Sequence, residues 1–330
     1  MQKKALFICH AGSGIGLGHL SRSLVASRAL VTNLGMSVDF VVSGEVDKNF
    51  FSSFPVNVTQ TTQTIYEILE QVYKDSFKAV LCLDLFNQAD KASIDTLLKK
   101  NSDKGTKIVA LDNLPYGSPC IDLLYVPSFS APNLKPDLPD FKVVSGWDCY
   151  LLNIQRNLSY NNYKNSVLIL TGGSDPTELG TSWPSHLDKK LGKGIEVNWV
   201  TGPYAKRPNF PNHSNIKFIE HIAPRGLTSL MASATVASTV FGVSFFELIA
   251  MGIPTVVFSP YGNKDEAELS EIRRLELALV AKNENEASEK LSNLVFNRQK
   301  CEYLKSNCLS IMKDFTGKRF SDEIKELLKN

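Results

Sequence analysis

The sequence predicts an α/β protein of two doubly wound domains, and three observations carry that expectation. Apolar, β-branched runs alternate with segments of helical period along almost all of the 330 residues, the pattern of a parallel sheet with helices on both faces. The pattern pauses in a polar, turn-like stretch at 160–165 and restarts with Val167-Leu168-Ile169-Leu170. Each half opens on a strand that runs into a glycine turn. Ligand sites are therefore expected at the carboxyl ends of both sheets, facing each other across a cleft.

Taken in order, strands are expected near 5–10, 37–43, 56–60, 79–84, 107–112, 123–127 and 142–145, with helices over 19–34, 64–75 and 90–101. A Pro-rich stretch at 127–139 reads as loop. In the second half the strand-like runs are 167–171, 196–202, 216–219, 236–240 and 255–258. From Glu284 onward the chain is helical and charged, with Leu291, Leu294 and Val295 recurring at helix spacing. The expected division is a first domain over 1–150, a linker over 151–165, a second domain over 166–310, and a C-terminal helix over 311–330 that can pack back on the first domain.

At 43% hydrophobic residues the chain can bury a large core. A net charge of +2 leaves no bulk electrostatic argument for nucleic acid. Six cysteines, at 9, 82, 120, 149, 301 and 308, lack CxxC or metal spacing, and Cys9 and Cys82 sit in apolar runs. They read as reduced, buried thiols in a cytoplasmic protein. No run reaches membrane-spanning length, and the apolar run after Met1-Gln2-Lys3-Lys4 is too short for a signal peptide. Lys91, Lys99, Lys100, Lys104 and Lys107 cluster around one helix and loop. A solvated helix face explains them, and a peripheral contact at the inner membrane face is the alternative.

The most informative stretch is His10-Ala11-Gly12-Ser13-Gly14-Ile15-Gly16-Leu17-Gly18-His19, followed by Leu20-Ser21-Arg22. A strand, a glycine-rich turn and a helix opening expose backbone N–H groups to an anionic ligand. His19 falls where the helix starts and can serve there as a general base. A purely structural turn is the alternative. The spacing of Gly14, Gly16 and Gly18 does not match a dinucleotide fingerprint, no acidic residue ends the second strand, and no Gly-Lys-Ser/Thr closes a P-loop.

Two further turns matter. Thr171-Gly172-Gly173-Ser174-Asp175-Pro176 can place N–H groups and a hydroxyl against phosphate, or can simply cap a helix through Ser174 or Asp175. Gly242-Val243-Ser244 opens another helix, with Glu247 one turn in and Gly252-Ile253-Pro254 ending it. A carboxylate at Glu247 suits two ribose hydroxyls, or a solvated helix face.

Together, Ile15-Gly16-Leu17-Gly18-His19 with Arg22, the turn at Gly172–Pro176, and Gly242, Ser244, Glu247 and Gly252-Ile253-Pro254 resemble the GT-B nucleotide-sugar enzymes, with two Rossmann-like domains. Within that group the chain is similar to the lipid-linked GlcNAc transferase of peptidoglycan synthesis (glycosyltransferase family 28) and to the UDP-sugar hydrolase of the pseudaminic acid pathway. The likeness covers both halves, roughly 5–20 and 165–280. It implies that the second domain holds UDP, with Gly173, Ser174, Gly242 and Ser244 at the phosphates, Glu247 on the ribose, and the base near Ile222. It implies that His19 is the catalytic base facing the sugar, with Gly16, Gly18 and Arg22 beside it. Arg22 would help stabilise the leaving UDP or brace the loop.

The chain also departs from these relatives. The hydrolase's Asp-His-Tyr pattern reads Asp84-Leu85-Phe86 here, and its Asp-Asp pair reads Asp112-Asn113. The transferase's Gln-Gln pair is replaced by a stretch in which Asn263 and Glu268 can bind sugar hydroxyls. No Asp-x-Asp occurs, and His10, His186, His213 and His221 are not spaced as metal ligands. Metal independence is expected, with no cofactor beyond the UDP-sugar substrate. The leading expectation is a glycosyltransferase of glycan or polysaccharide biosynthesis, acting on a hydroxyl acceptor that is a glycan, a lipid-linked sugar or a small molecule. The alternatives are a hydrolase of nonulosonate sugar synthesis, with water as acceptor, and a non-catalytic nucleotide-sugar binder.

Overall fold

The computed structural model describes residues 3–12, 15, 17–51, 54–75, 79–85, 91–112, 120–130, 141–156, 165–222 and 226–329. Two compact units result. The first comprises Met1–Asn153 together with Asp314–Asn330, and the second Ile154–Lys313. Most of the stretch expected as linker, 157–164, lies outside the described residues, as does most of the Pro-rich loop.

The first unit runs β1 (Lys4–His10), α1 (Gly18–Leu34), β2 (Ser37–Ser43), β3 (Asn57–Thr61), α2 (Ile65–Asp75), β4 (Val80–Asp84), α3 (Lys91–Asp103), β5 (Lys107–Leu111), β6 (Leu123–Tyr125) and β7 (Lys142–Val144). Its strands form one sheet in the order β3-β2-β1-β4-β5-β6-β7, with every pairing parallel. β4 is buried along its whole length, as a central parallel strand covered on both faces must be. Phe7, Phe40, Leu24 and Val25 pack one face of the sheet, and Ile8, Leu83, Ile94 and Leu98 the other. Helix ends are set locally. Thr64 and Glu67 exchange backbone and side-chain hydrogen bonds in a capping box before α2, and Gly35 ends α1 at φ 62°.

The second unit runs β8 (Ser166–Leu170), α4 (Leu179–Lys190), β9 (Glu196–Thr201), β10 (Lys217–Ile222), α5 (Leu227–Ser233), β11 (Val236–Val240), α6 (Val243–Ala250), β12 (Thr255–Phe258), α7 (Glu266–Arg274), β13 (Leu279–Val280), α8 (Glu284–Leu294) and α9 (Arg298–Ile311). The sheet order is β10-β9-β8-β11-β12-β13, again all parallel. Trp183 is buried edge-on against Trp199 (5.8 Å) and Phe258 (5.2 Å), and its indole N–H donates to Ser288 Oγ at 3.1 Å, which keeps the buried donor satisfied. The chain ends in α10 (Lys318–Leu327), which belongs to the first unit. There Phe320 meets Phe7 and Tyr125 at 6.3 and 5.1 Å.

Among the element ends that differ from the sequence expectation, two bear on the site. β5 stops at Leu111, because Asp112 turns into the left-handed region at φ 70°. β10 runs on past 219 to Ile222, so that residue lies on an edge strand. In both sheets the strand order reverses direction at the first strand, between β1 and β4 and between β8 and β11. Those switch points are where an open α/β sheet leaves a crevice at its carboxyl edge.

Candidate active site

In the first unit, the switch point gathers one histidine, one arginine and two carboxylates. Cys9 on β1 is registered with Asp84 on β4, so Asp84 stands at the strand end directly beside the turn that leads to α1. That helix starts at Gly18 with no side-chain cap and no acidic residue in its first turn. His19 and Arg22, three residues apart, share the helix face toward Asp84. Gly16 lies outside the described residues, with Ser13 and Gly14; a Cβ at Gly18 would meet nothing within 4 Å.

Asp84 is 1% exposed and accepts four hydrogen bonds. His19 Nδ1 lies 2.5 Å from Oδ1, Arg22 Nη2 donates to the same oxygen at 2.6 Å, Arg22 Nε to Oδ2 at 2.6 Å, and Ser23 Oγ to Oδ2 at 3.0 Å. Arg22 Nη1 is paired in turn with Asp112 Oδ2 at 2.9 Å. Burial works against ionisation of Asp84, but the adjacent Arg22 charge, then the hydrogen bonds from Arg22 and His19, hold its carboxyl below the usual value. Burial likewise works against Arg22's charge, and Asp84 and Asp112 more than offset it. An ionised Asp84 can only accept, so the proton in the 2.5 Å contact sits on His19 Nδ1. The lone pair of the ring is then on Nε2, the nitrogen that can take a proton from a reacting group. His10, 6% exposed at the end of β1, is held below its ordinary value by burial and then by the neighbouring His19.

In the second unit, the loops after β8, β11 and β12 lie side by side because those strands are neighbours. Gly173 and Ser174 are exposed in the first loop. Gly202, after β9, passes so close that a Cβ there would lie 2.4 Å from the carbonyl oxygens of Gly172 and Gly173. Only glycine permits that approach. Asp175 turns inward, 6% exposed, and accepts from the N–H groups of Leu179 and Gly180 at 3.0 and 2.9 Å. The start of α4 is therefore already capped by a carboxylate.

The start of α6 is not. Gly242 at φ 157°, ψ −167° takes a backbone conformation suited to glycine, and among the described residues no side-chain cap is seen at this helix, nor an acid in its first turn. Val243 is 46% exposed there, and Ser244 is half-buried beside it. Helix polarity and N–H groups at such a helix start favour negative charge. One turn in, the half-buried Glu247 has no carboxylate partner among the described residues, and desolvation pushes its pKa up to about 7. Beneath the glycine turn, Thr171 Oγ1 is buried with no hydrogen-bond partner among the described residues.

The other three sequence candidates lie at the margins of this edge. Ile222 is 59% exposed at the end of β10, whose outer side pairs with no strand among the described residues; Ala223 is outside the described residues. Asn263 is exposed in the helical turn Gly262–Asp265 after β12, and Glu268 lies in the first turn of α7. Sequence reasoning missed Asp84 and Asp112 as partners of His19 and Arg22. The available signal was an acidic residue closing a fully apolar strand, Val80-Leu81-Cys82-Leu83-Asp84. Phe86 and Asn113 fall outside the described residues. Among the described residues, no group of three or more His, Cys, Asp or Glu side chains is placed to hold a metal ion, and no helix is long and apolar enough to cross a membrane.

No protein-family model matches the chain, and no curated protein sequence matches it. Solved structures do. The chain is similar to Acinetobacter baumannii MurG (13% identity, 98% of this chain and 99% of that one, TM-score 0.63). It is similar to Phytolacca americana UGT2 complexed with UDP-2fluoro-glucose and pterostilbene (13% identity, 99% of each chain, TM-score 0.66). It is also similar to the calicheamicin glycosyltransferase CalG4 (12% identity, 100% of this chain and 99% of that one, TM-score 0.65). These likenesses span the whole chain, and with the two all-parallel sheets they give the protein the GT-B fold.

Proposed function

We propose that the protein is a GT-B glycosyltransferase that cleaves the C1–O bond of a UDP-sugar and passes the sugar to a hydroxyl acceptor. The observation that carries this reading is the 2.5 Å contact of His19 Nδ1 with a buried, ionised Asp84. A carboxylate that fixes one tautomer leaves the other imidazole nitrogen as a base, the logic of a His-Asp pair in acyl transfer. The similar UGT2 structure, which holds a UDP-sugar analogue and a phenolic molecule, supports a sugar nucleotide as donor and a hydroxyl as acceptor.

In the proposed reaction, Nε2 of His19 takes the acceptor O–H proton as that oxygen bonds to C1. The C1–O bond to the β-phosphate breaks, and its electron pair leaves on UDP. The uncapped start of α6, with Gly242 and Ser244, and the Gly173-Ser174 turn bind the phosphates and stabilise the departing charge. Glu247 accepts from the ribose hydroxyls, and the base lies along the edge strand at Ile222. Asn263 and Glu268 address the donor sugar. Water in place of the hydroxyl turns the same base into that of a nucleotide-sugar hydrolase, a reading favoured by the Gly18-His19-x-x-Arg22 pattern.

The test is UDP release from a panel of UDP-sugars, by wild type and His19→Ala, with and without added acceptors. Release that depends on both an acceptor and His19 supports the transferase, and loss of His19 should then cost about 10²–10⁴-fold in kcat. Acceptor-independent release of free sugar that needs His19 assigns the hydrolase. Release equal in the two proteins sinks the role given to His19.

A further inference from the structure

We infer that Arg22 is the positioning residue of this site: pinned by Asp112, it locks the Asp84 carboxylate so that His19 keeps its proton on Nδ1 and presents Nε2. This rests on the reading of His19 as the base, and it replaces the other role open to Arg22, stabilising a leaving diphosphate.

The hydrogen bonds favour positioning: three of the guanidinium's contacts go to carboxylate oxygens. Arg22 Nε and Nη2 form a parallel fork to the two oxygens of Asp84, and Nη1 is committed to Asp112. Such a fork fixes the plane of a carboxylate as well as its position. Two donors, His19 Nδ1 and Arg22 Nη2, converge on Oδ1 from 2.5 and 2.6 Å and stand 2.8 Å apart. If Asp84 rotated, it would lose the Arg22 fork, the Ser23 hydroxyl and the histidine contact together. The fixed carboxylate is what selects the tautomer.

Charge argues the same way. One guanidinium faces two carboxylates, so the group of Arg22, Asp84 and Asp112 carries a net negative charge, which disfavours a diphosphate beside it. The remaining titratable neighbours, Cys9 and His10 on β1, add no cation: burial first, then Asp84, raises the Cys9 thiol, and burial first, then His19, lowers His10. Asp112 is held for its task by the main chain. Its N–H donates to the Tyr125 carbonyl at 2.8 Å, and its left-handed backbone at φ 70° is an unusual conformation for a side-chain-bearing residue.

The experiment is two-bond ¹H–¹⁵N spectroscopy of the full chain labelled at histidine, with His19 assigned by its loss in His19→Gln, alongside steady-state kinetics. Wild type should show His19 protonated at Nδ1 and bare at Nε2. Arg22→Gln should shift the ring toward the Nε2–H tautomer that an unrestrained imidazole prefers. Its kcat should fall about 100-fold, as expected for a misplaced catalytic group, with KM for the UDP-sugar nearly unchanged and partial rescue by added guanidinium. Persistence of the Nδ1–H pattern in Arg22→Gln, or a raised KM at unchanged kcat, overturns the inference. Should Arg22→Gln fail to fold, Asp112→Asn removes only the outer, partly exposed partner. It should blur the tautomer preference and lower kcat several-fold, and wild-type behaviour in both readouts overturns the inference. The spectra do not depend on turnover. A wild type that turns over no UDP-sugar yet shows the Arg22-dependent tautomer would fail the proposed function and leave Arg22's positioning of the ring standing.

Discussion

Asp175 accepts hydrogen bonds from the backbone N–H groups of Leu179 and Gly180, so a carboxylate built into the chain occupies the start of α4. The two helices that follow the switch-point strands of the second unit are therefore unlike. One is neutralised from within, and the other, α6, has its first turn open. Replacing Asp175 with alanine leaves two buried donors unsatisfied and should lower stability by about 1–2 kcal/mol, read as a reduced urea midpoint. Nucleotide affinity should fall less in Asp175→Ala than in Ser244→Pro, which blocks the open turn of α6. The reverse ranking would move the phosphates to α4.

The Asp84 cluster predicts an acid limb in stability. Its folded value lies below its ordinary 3.8, so its contribution is complete above about pH 4 and is lost as pH falls through the lowered value. Asp84→Asn should be less stable than wild type at pH 7 by about 3 kcal/mol, since one partner of a buried ion pair is removed. The difference should shrink on acidification below pH 4. Urea titrations of both proteins at pH 7, 5, 4 and 3 check it, and parallel curves throughout would refute it.

Glu247 predicts the opposite slope. Its carboxyl is raised from 4.5 to about 7 by desolvation, so the folded state holds this proton more tightly than the unfolded chain. Stability referred to Glu247→Gln should decline as pH rises from about 4.5 to 7 and stay level above. If ribose hydroxyls donate to this carboxylate, UDP binding at pH 6 should release a proton that Glu247→Gln does not release. Calorimetry in buffers of different ionisation enthalpy measures that release directly. Equal proton release by both proteins would remove Glu247 from the nucleotide site.

Gly202 touches no proposed ligand group, yet its substitution should be felt at the nucleotide. A Cβ placed 2.4 Å from two carbonyl oxygens of the Gly172-Gly173 turn must displace that turn. Gly202→Ala should lose about 1–3 kcal/mol of stability, the cost of overpacking a tight contact. It should also weaken UDP binding, whereas Gly192→Ala, where a Cβ meets nothing within 4 Å, should bind as wild type does.

Much of this architecture is legible in the chain because the signals are local. Val80-Leu81-Cys82-Leu83 is an apolar run of strand length, and Gly35 and Gly242 mark where helices end or begin. What stayed hidden depends on pairing at a distance. Asp84 lies 65 residues from His19, and nothing in either segment announces the other; only the parallel register of β1 with β4 brings them together. Asp112 was read as the last residue of a strand because its run is apolar up to Leu111, and a left-handed turn leaves no such periodic trace. Asp175 was visible as a possible cap, but whether its carboxylate or Ser174 turns inward is settled by packing.

The return of α10 to the first unit also governs how this chain can be made. Phe320 and Ile324 complete the core around Phe7 and Tyr125, and Asn33 on α1 donates to Ser321 at 2.9 Å. A ribosome that has finished the first 153 residues has not yet supplied that layer; it arrives about 160 residues later, after the entire second sheet. The unit that emerges first must wait, with one apolar face uncovered, for the unit that emerges second. Sensitivity of the first unit to loss of residues 314–330 is built into that order of assembly.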